Sequence, residues 1–103
     1  MSSKNLLRRL FSFGRCKKAA VLGVGYQEYQ LAQALESDAA CKVLFFIDEN
    51  PWNYRNKMLS GEVRSLSDLE ALCVKHGIDS VFYCDEGWLP KLDGLSLPPV
   101  QSV

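Results

Sequence analysis

The sequence predicts a small three-layer α/β domain whose sheet is mostly parallel and has about four strands. Three observations predict it. Short, continuous apolar runs lie at Ala19 to Leu22 and Lys42 to Ile47, and Ile78 to Cys84 reads as a third main strand. Segments with helical spacing of apolar residues separate them, at 27–37 and 66–76. The first run stops at a glycine turn, and the second stops at an aspartate. A chain of 103 residues holds one core and is too short for two. Its 48% apolar and 23% charged residues are ordinary for a globular protein.

The elements follow in order. Ala19-Ala20-Val21-Leu22 has no polar alternation, which suits a strand buried on both faces. From Gln27 to Glu36, Leu31, Ala34 and Leu35 repeat at helical spacing with Ala32 beside them, and Ser37-Asp38 reads as a stop. Lys42-Val43-Leu44-Phe45-Phe46-Ile47 is the next continuous run. Strand, helix and strand within roughly 30 residues make one βαβ unit, and its right-handed crossover sets the two strands parallel. Residues 48–61 are rich in loop formers, and Glu62-Val63-Arg64 reads as a short strand. Ser65 or Ser67 is a candidate cap for the second helix, with Asp68 and Glu70 in its first turn, where the dipole favours acids. Leu66, Leu69, Leu72 and Cys73 give that helix an apolar face, and Gly77 suits its C-terminal turn. Ile78 to Cys84 is the third main strand. Beyond it, three prolines and no periodicity predict a tail, packed through Trp88 and Leu89 and otherwise loose. The organisation expected is therefore an arm at 1–16, a folded body at 17–88 and a tail at 89–103.

Charge narrows the functional classes. The net charge is zero, yet the first 18 residues carry +6 through Lys4, Arg8, Arg9, Arg15, Lys17 and Lys18, leaving −6 on the remainder. An acidic body excludes a strongly basic nucleic-acid-binding surface there, and no nucleic acid partner is expected. Leu6, Leu7, Leu10, Phe11 and Phe13 give the arm one apolar side. Docking on the body, contact of 4–18 with an anionic membrane surface, and a loosely packed terminus all fit it, membrane contact being the less favoured. No apolar run approaches the roughly 20 residues of a membrane span. Cys16, Cys41, Cys73 and Cys84 contain no C-x-x-C pair and the chain has one histidine, so neither zinc nor a disulfide framework is suggested. Four reduced cysteines in a cytoplasmic protein are expected.

The chemistry concentrates at the first turn. Gly23-Val24-Gly25 lies between strand and helix, where the first glycine allows a tight turn and the second lets backbone approach a phosphate at the helix N-terminus. Asp48 ends the second strand 25 residues after Gly23, close to the offset of an acid that bonds ribose hydroxyls. Tyr26 and Gln27 can contact a ligand or stand as exposed first-turn residues. The third glycine of G-x-G-x-x-G is Glu28 here. Either it points to solvent with the helix set further from the sheet, or the pocket prefers an uncharged or less phosphorylated ligand. Asp85-Glu86 can face the same crevice or sit in a solvated loop. Trp52 and Tyr54 can flank a base or pack back on their own domain. His76 has no visible acid or nucleophile partner and suits a helix end. No nucleophile with a base and no set of metal ligands is recognisable, so catalysis has no positive support and no metal is expected.

These stretches resemble a known family. A-A-V-L-G-V-G-Y-Q-E-Y-Q-L-A-Q-A-L, K-V-L-F-F-I-D-E-N-P and S-G-E-V-R-S-L-S-D-L-E-A-L-C-V-K-H-G-I-D-S-V together cover residues 19–81. They are similar to the Rossmann-like, so-called CoA-binding domain that precedes the catalytic part of polysaccharide-biosynthesis enzymes. Those enzymes include nucleotide-sugar epimerases or dehydratases and initiating sugar-phosphate transferases. The resemblance implies nucleotide contacts at Gly23, Gly25 and Asp48, and a setting close to a membrane.

The expected function is a nucleotide-binding or sensing module that holds NAD(H) or a nucleotide-sugar. The alternative is a non-catalytic interaction or oligomerisation module whose glycine turn is vestigial. An accessory subunit of a sugar-modifying enzyme is a third reading. About half of a full dinucleotide fold leaves an uncovered edge, so a homodimer or a larger enzyme partner is expected.

Overall fold

The computed structural model describes residues 17–38, 41–54, 56–59 and 61–102. The expectations for the arm at 1–16, membrane contact included, lie outside them. Strand β1 (Lys18–Leu22) is followed by helix α1 (Tyr26–Asp38) and strand β2 (Lys42–Ile47). A 3₁₀ turn at Pro51–Asn53 leads to β3 (Lys57–Met58) and β4 (Gly61–Arg64). Helix α2 (Leu69–His76) follows a 3₁₀ turn at Leu66–Asp68, and β5 (Ser80–Tyr83) comes next. A 3₁₀ helix at Glu86–Leu92 then precedes β6 (Val100–Ser102).

The sheet has six strands in the order β3-β4-β2-β1-β5-β6. All neighbours are parallel except β3, which runs antiparallel to β4. The α/β architecture and the mostly parallel sheet are as expected, but the strand count of about four is too low. The two extra strands have only two and three residues, too few to show a hydrophobic period. One of them lies in the segment expected to be a tail, where the Val81 amide already bonds the Pro99 carbonyl at 2.9 Å. Within that segment Leu92 is buried, whereas Leu89 is 42% exposed, so Leu92 is the anchor that Leu89 was expected to be.

Two apolar layers explain why these runs become strands. On one face, Leu31, Ala32, Ala34 and Leu35 of α1 pack on Ala19, Val21, Val43, Phe46, Val63 and Phe82. On the other, Leu69, Leu72 and Cys73 of α2, with Leu92, cover Ala20, Leu22, Phe45, Ile47 and Val81. Ala19 to Leu22 are fully buried, as a central strand covered on both faces must be. The register slips in β2: Ala19 pairs with Val43, but Ala20 pairs with Phe45. Leu44 is the additional residue of this bulge, so Leu44 and Phe45 both turn to the α2 side and Phe46 returns to the α1 side. Among the described cysteines, Cys73 and Cys84 are free thiols. Cys41 is disulfide-bonded, which corrects the expectation of reduced cysteines throughout; sequence spacing alone carries no information on proximity in space.

The amino ends of the strands are fastened by polar contacts. Asp79 accepts from the Lys17 and Lys18 amides at 2.9 Å each, and those two bonds hold its carboxyl below the usual aspartate value. His76 lies at this end too: its ring meets Phe45 edge-on at 5.0 Å, and its carbonyl accepts from the Lys18 ammonium at 3.1 Å. Gly77 ends α2 in the left-handed region at φ 65°, as expected of that glycine.

Candidate functional site

Parallel pairing brings the carboxyl ends of the strands into line. Leu22 is level with Ile47 and Tyr83, and Ile47 is level with Arg64. The residues that follow, Gly23, Asp48, Ser65 and Cys84, therefore form one row along the sheet's edge. Helix α1, entered from β1, covers one face and α2, leading into β5, covers the other, so the chain switches sides at β1. Such a switch point opens a crevice beyond the strand ends, where ligands of doubly wound sheets gather.

Gly23 takes φ 107°, which suits glycine alone, and its amide bonds the Ile47 carbonyl at 2.7 Å. The Gly25 carbonyl accepts the first helical bond, from Tyr29 at 3.0 Å, so Gly25 caps α1. Glu28 stands three residues on, and its Oε1 accepts from the Gly25 amide at 2.9 Å. This is the helix-capping geometry in which an acid of the first turn reaches back to the cap residue. Glu28 is 8% exposed. A Cβ on Gly25 would fall 2.7 Å from Glu28 Oε1, and one on Gly23 would fall 3.0 Å from its carboxyl carbon. Of the two expectations for Glu28, pointing to solvent is corrected: it turns inward because the cap amide attracts it. Burial first, and then the Glu28 charge, push the Cys84 thiol up to about 11.

Asp48 is half-buried and committed to its own loop. Its Oδ1 accepts from the Glu49 amide at 2.8 Å and its Oδ2 from Asn53 Nδ2 at 2.6 Å, while its amide bonds the Arg64 carbonyl at 3.1 Å. Tyr26 is 76% exposed and its hydroxyl accepts from Gln30 Nε2 at 3.0 Å; Gln27 is exposed as well. The structure thus sets Gly23, Gly25 and Asp48 along one edge and leaves Tyr26 and Gln27 on the outer surface of the helix start. Asp85 caps the following 3₁₀ helix through the Gly87 amide at 2.9 Å. Tyr54 packs back on the α1-side core, as one expectation had it, whereas Trp52 remains 88% exposed.

A cavity of about 460 Å³ lies at the same end of the sheet; its walls include Glu49, Tyr54, Ser65, Glu70, Lys91 and Leu95, and none of Gly23, Gly25, Tyr26, Gln27 or Asp48 is among them. Lys91 forms an ion pair with Glu49 and stands 5.0 Å over the Trp88 ring, so the C-terminal segment is strapped across to the β2 loop. Ser65, a candidate cap, instead shares its hydroxyl with Ser67 Oγ at 2.7 Å and Asp68 at 3.1 Å, and no side-chain cap bond forms there. Sequence reading missed Lys91 and Leu95, because nothing in a proline-containing stretch signals that it returns over the strand ends. The lining volume falls within the range of small-molecule pockets. Among the described residues no His, Cys, Asp or Glu group could hold a metal ion, and no helix is long and apolar enough to cross a membrane.

Neither a protein-family model nor a curated protein matches the chain. Solved structures do. The UDP-D-quinovosamine 4-dehydrogenase of Vibrio fischeri superposes with a TM-score of 0.73 at 23% identity, over 85% of this chain and 78% of that one. The fold is Rossmann-like. RSP, a Rex-family repressor, matches with a TM-score of 0.66 at 16% identity, over 96% of this chain. RSP in complex with β-NADH matches at 0.65 and 15% identity. This chain spans 58% of the length of RSP.

Proposed function

We propose that this chain is a non-catalytic nucleotide-binding module that holds NAD(H) or a nucleotide-sugar at the carboxyl ends of β1 and β2. The observation that carries the reading is the placement of the Gly23 turn and Asp48 directly after adjacent paired strands, with a cavity of about 460 Å³ among the loops at the same end of the sheet. Ribose hydroxyls would donate to Asp48, which offers lone pairs beyond those used by Glu49 and Asn53. The base would enter the cavity between Tyr54 and Leu95. The choice of ligand is supported by RSP, solved with β-NADH, and by the dehydrogenase, whose name gives a UDP-sugar. The resemblance over residues 19–81 extends the same proposal to polysaccharide biosynthesis in the cytoplasm.

Titration of the amide resonances with NAD⁺, NADH, UDP-sugars, AMP and CoA tests it. Saturable shifts centred on Gly23, Gly25 and Asp48 are expected, and their loss in Gly25→Val and Asp48→Ala with the fold intact. Silence at millimolar ligand would refute the reading.

The Glu28–Gly25 bond favours a second reading, an interaction module whose turn serves only the helix cap. In that case a second copy or a larger enzyme would add to the β6 edge of the sheet. Mass measurement at high concentration distinguishes the two, since this reading requires a dimer or a stable partner.

A further inference from the structure

Resting on the nucleotide reading, we propose that Glu28 is an internal competitor for the phosphate seat of the glycine turn. Its carboxylate holds the Gly25 amide that a diphosphate would take, and it must swing out before an anion binds there.

Both glycines of the turn are open toward one group, and that group is the chain's own carboxylate. The Cβ positions missing from Gly23 and Gly25 would lie 3.0 and 2.7 Å from Glu28 atoms. The space that glycines clear for a phosphate in dinucleotide folds is filled here from within. Glu28 is the only acid in the first turn of α1, so it also satisfies the positive end of that helix dipole. A glutamate only 8% exposed is unusual unless its charge is compensated. Glu28 forms no ion pair with a lysine or arginine among the described residues, which leaves the Gly25 amide and the helix terminus as its compensation. Its charge also reaches Cys84, the residue after β5. An incoming anion therefore meets both a filled seat and a like charge.

The consequence is selective. A competitor that occupies the seat weakens apparent affinity by the factor with which it favours that seat. Ligands lose that factor only when they place a phosphate on the turn. Contacts of a nucleoside with Asp48 and the cavity are untouched.

The experiment titrates inorganic pyrophosphate, uridine and UDP against wild type, Glu28→Ala and Glu28→Gln, following the Gly25 and Tyr26 amides. Glu28→Gln keeps an acceptor for the Gly25 amide and removes the charge, so it remains informative if Glu28→Ala does not fold. Pyrophosphate binding at Gly25 is expected to tighten by about tenfold or more in Glu28→Ala. A smaller gain is expected in Glu28→Gln, and uridine binding should not change. Equal pyrophosphate affinity in wild type and the folded variants, or no binding by any folded variant, overturns the proposal. If the variants gain pyrophosphate but bind UDP no better than pyrophosphate, the competitor stands and the nucleotide reading falls.

Discussion

Gly61→Ala is expected to be among the costliest single-methyl additions in this protein. A Cβ at Gly61 would sit 2.7 and 2.9 Å from two atoms of the Phe46 ring and 3.0 Å from the Val43 carbonyl oxygen. Neither neighbour can retreat. Phe46 is fully buried between β2 and α1, and the Val43 carbonyl belongs to the backbone of a paired central strand. Overpacking of this kind costs roughly 1–3 kcal/mol, and the fixed backbone oxygen places this case near about 3. For a domain of this size that corresponds to a fall in Tm of roughly 10–20 °C. Urea and thermal unfolding, followed by circular dichroism, measure it. The double variant Phe46→Leu/Gly61→Ala should lose less than the two single losses added, with a coupling of at least about 1 kcal/mol. A loss for Gly61→Ala under about 0.5 kcal/mol, or strict additivity with Phe46→Leu, would refute the claim that this contact sets the spacing of β4 on β2.

Gly77→Ala carries the opposite cause: nothing lies within 4 Å of its Cβ position, so only the left-handed backbone at φ 65° resists. Its expected cost is about 1 kcal/mol in the same unfolding assay, without any coupling to a neighbour. Asp79→Asn tests acid stability. The Asp79 pKa is lowered on folding, so its contribution is present above the unfolded value of about 4 and is lost as pH falls through the folded one. Wild type should exceed the variant in urea stability near neutral pH and converge on it in acid; a constant gap down to strongly acidic pH would contradict this. Cys84, with its thiol pushed up to about 11, should alkylate more slowly than an unstructured cysteine at pH 8. Glu28→Gln should speed that reaction only in part, because burial is the larger cause. An unchanged rate would detach Glu28 from Cys84.

The central part of the fold was legible because its signals are local. A-A-V-L and K-V-L-F-F-I lack polar alternation, and the helix between them repeats Leu31, Ala34 and Leu35. The glycine turn was legible for the same reason: G-V-G directly follows an apolar run and precedes helical spacing, and Gly23 takes the φ of 107° that such a turn requires. What escaped reading depends on contacts distant in sequence. Val100 to Ser102 become a strand only because β5 offers its edge. Leu44 becomes a bulge only because two sheet faces must both be filled. Lys91 reaches Glu49 across 42 residues, with no pattern in the chain to announce it. Glu28 is the instructive case. The departure from the glycine pattern was visible, but which way the carboxylate turned depended on an amide three residues back and on the room left by two absent side chains.

The short strand β6 has a consequence for the protein's behaviour in concentrated solution. It covers the edge of β5, where Ser80, Val81 and Phe82 are all buried. The sequence there, Ser-Val-Phe-Tyr-Cys, is β-prone and uncharged, the composition that templates strand addition between chains when its edge is bare. Three residues held by parallel pairing therefore act as a guard against aggregation. Brief fraying of Val100–Ser102 would expose a sticky edge long before the core itself had melted.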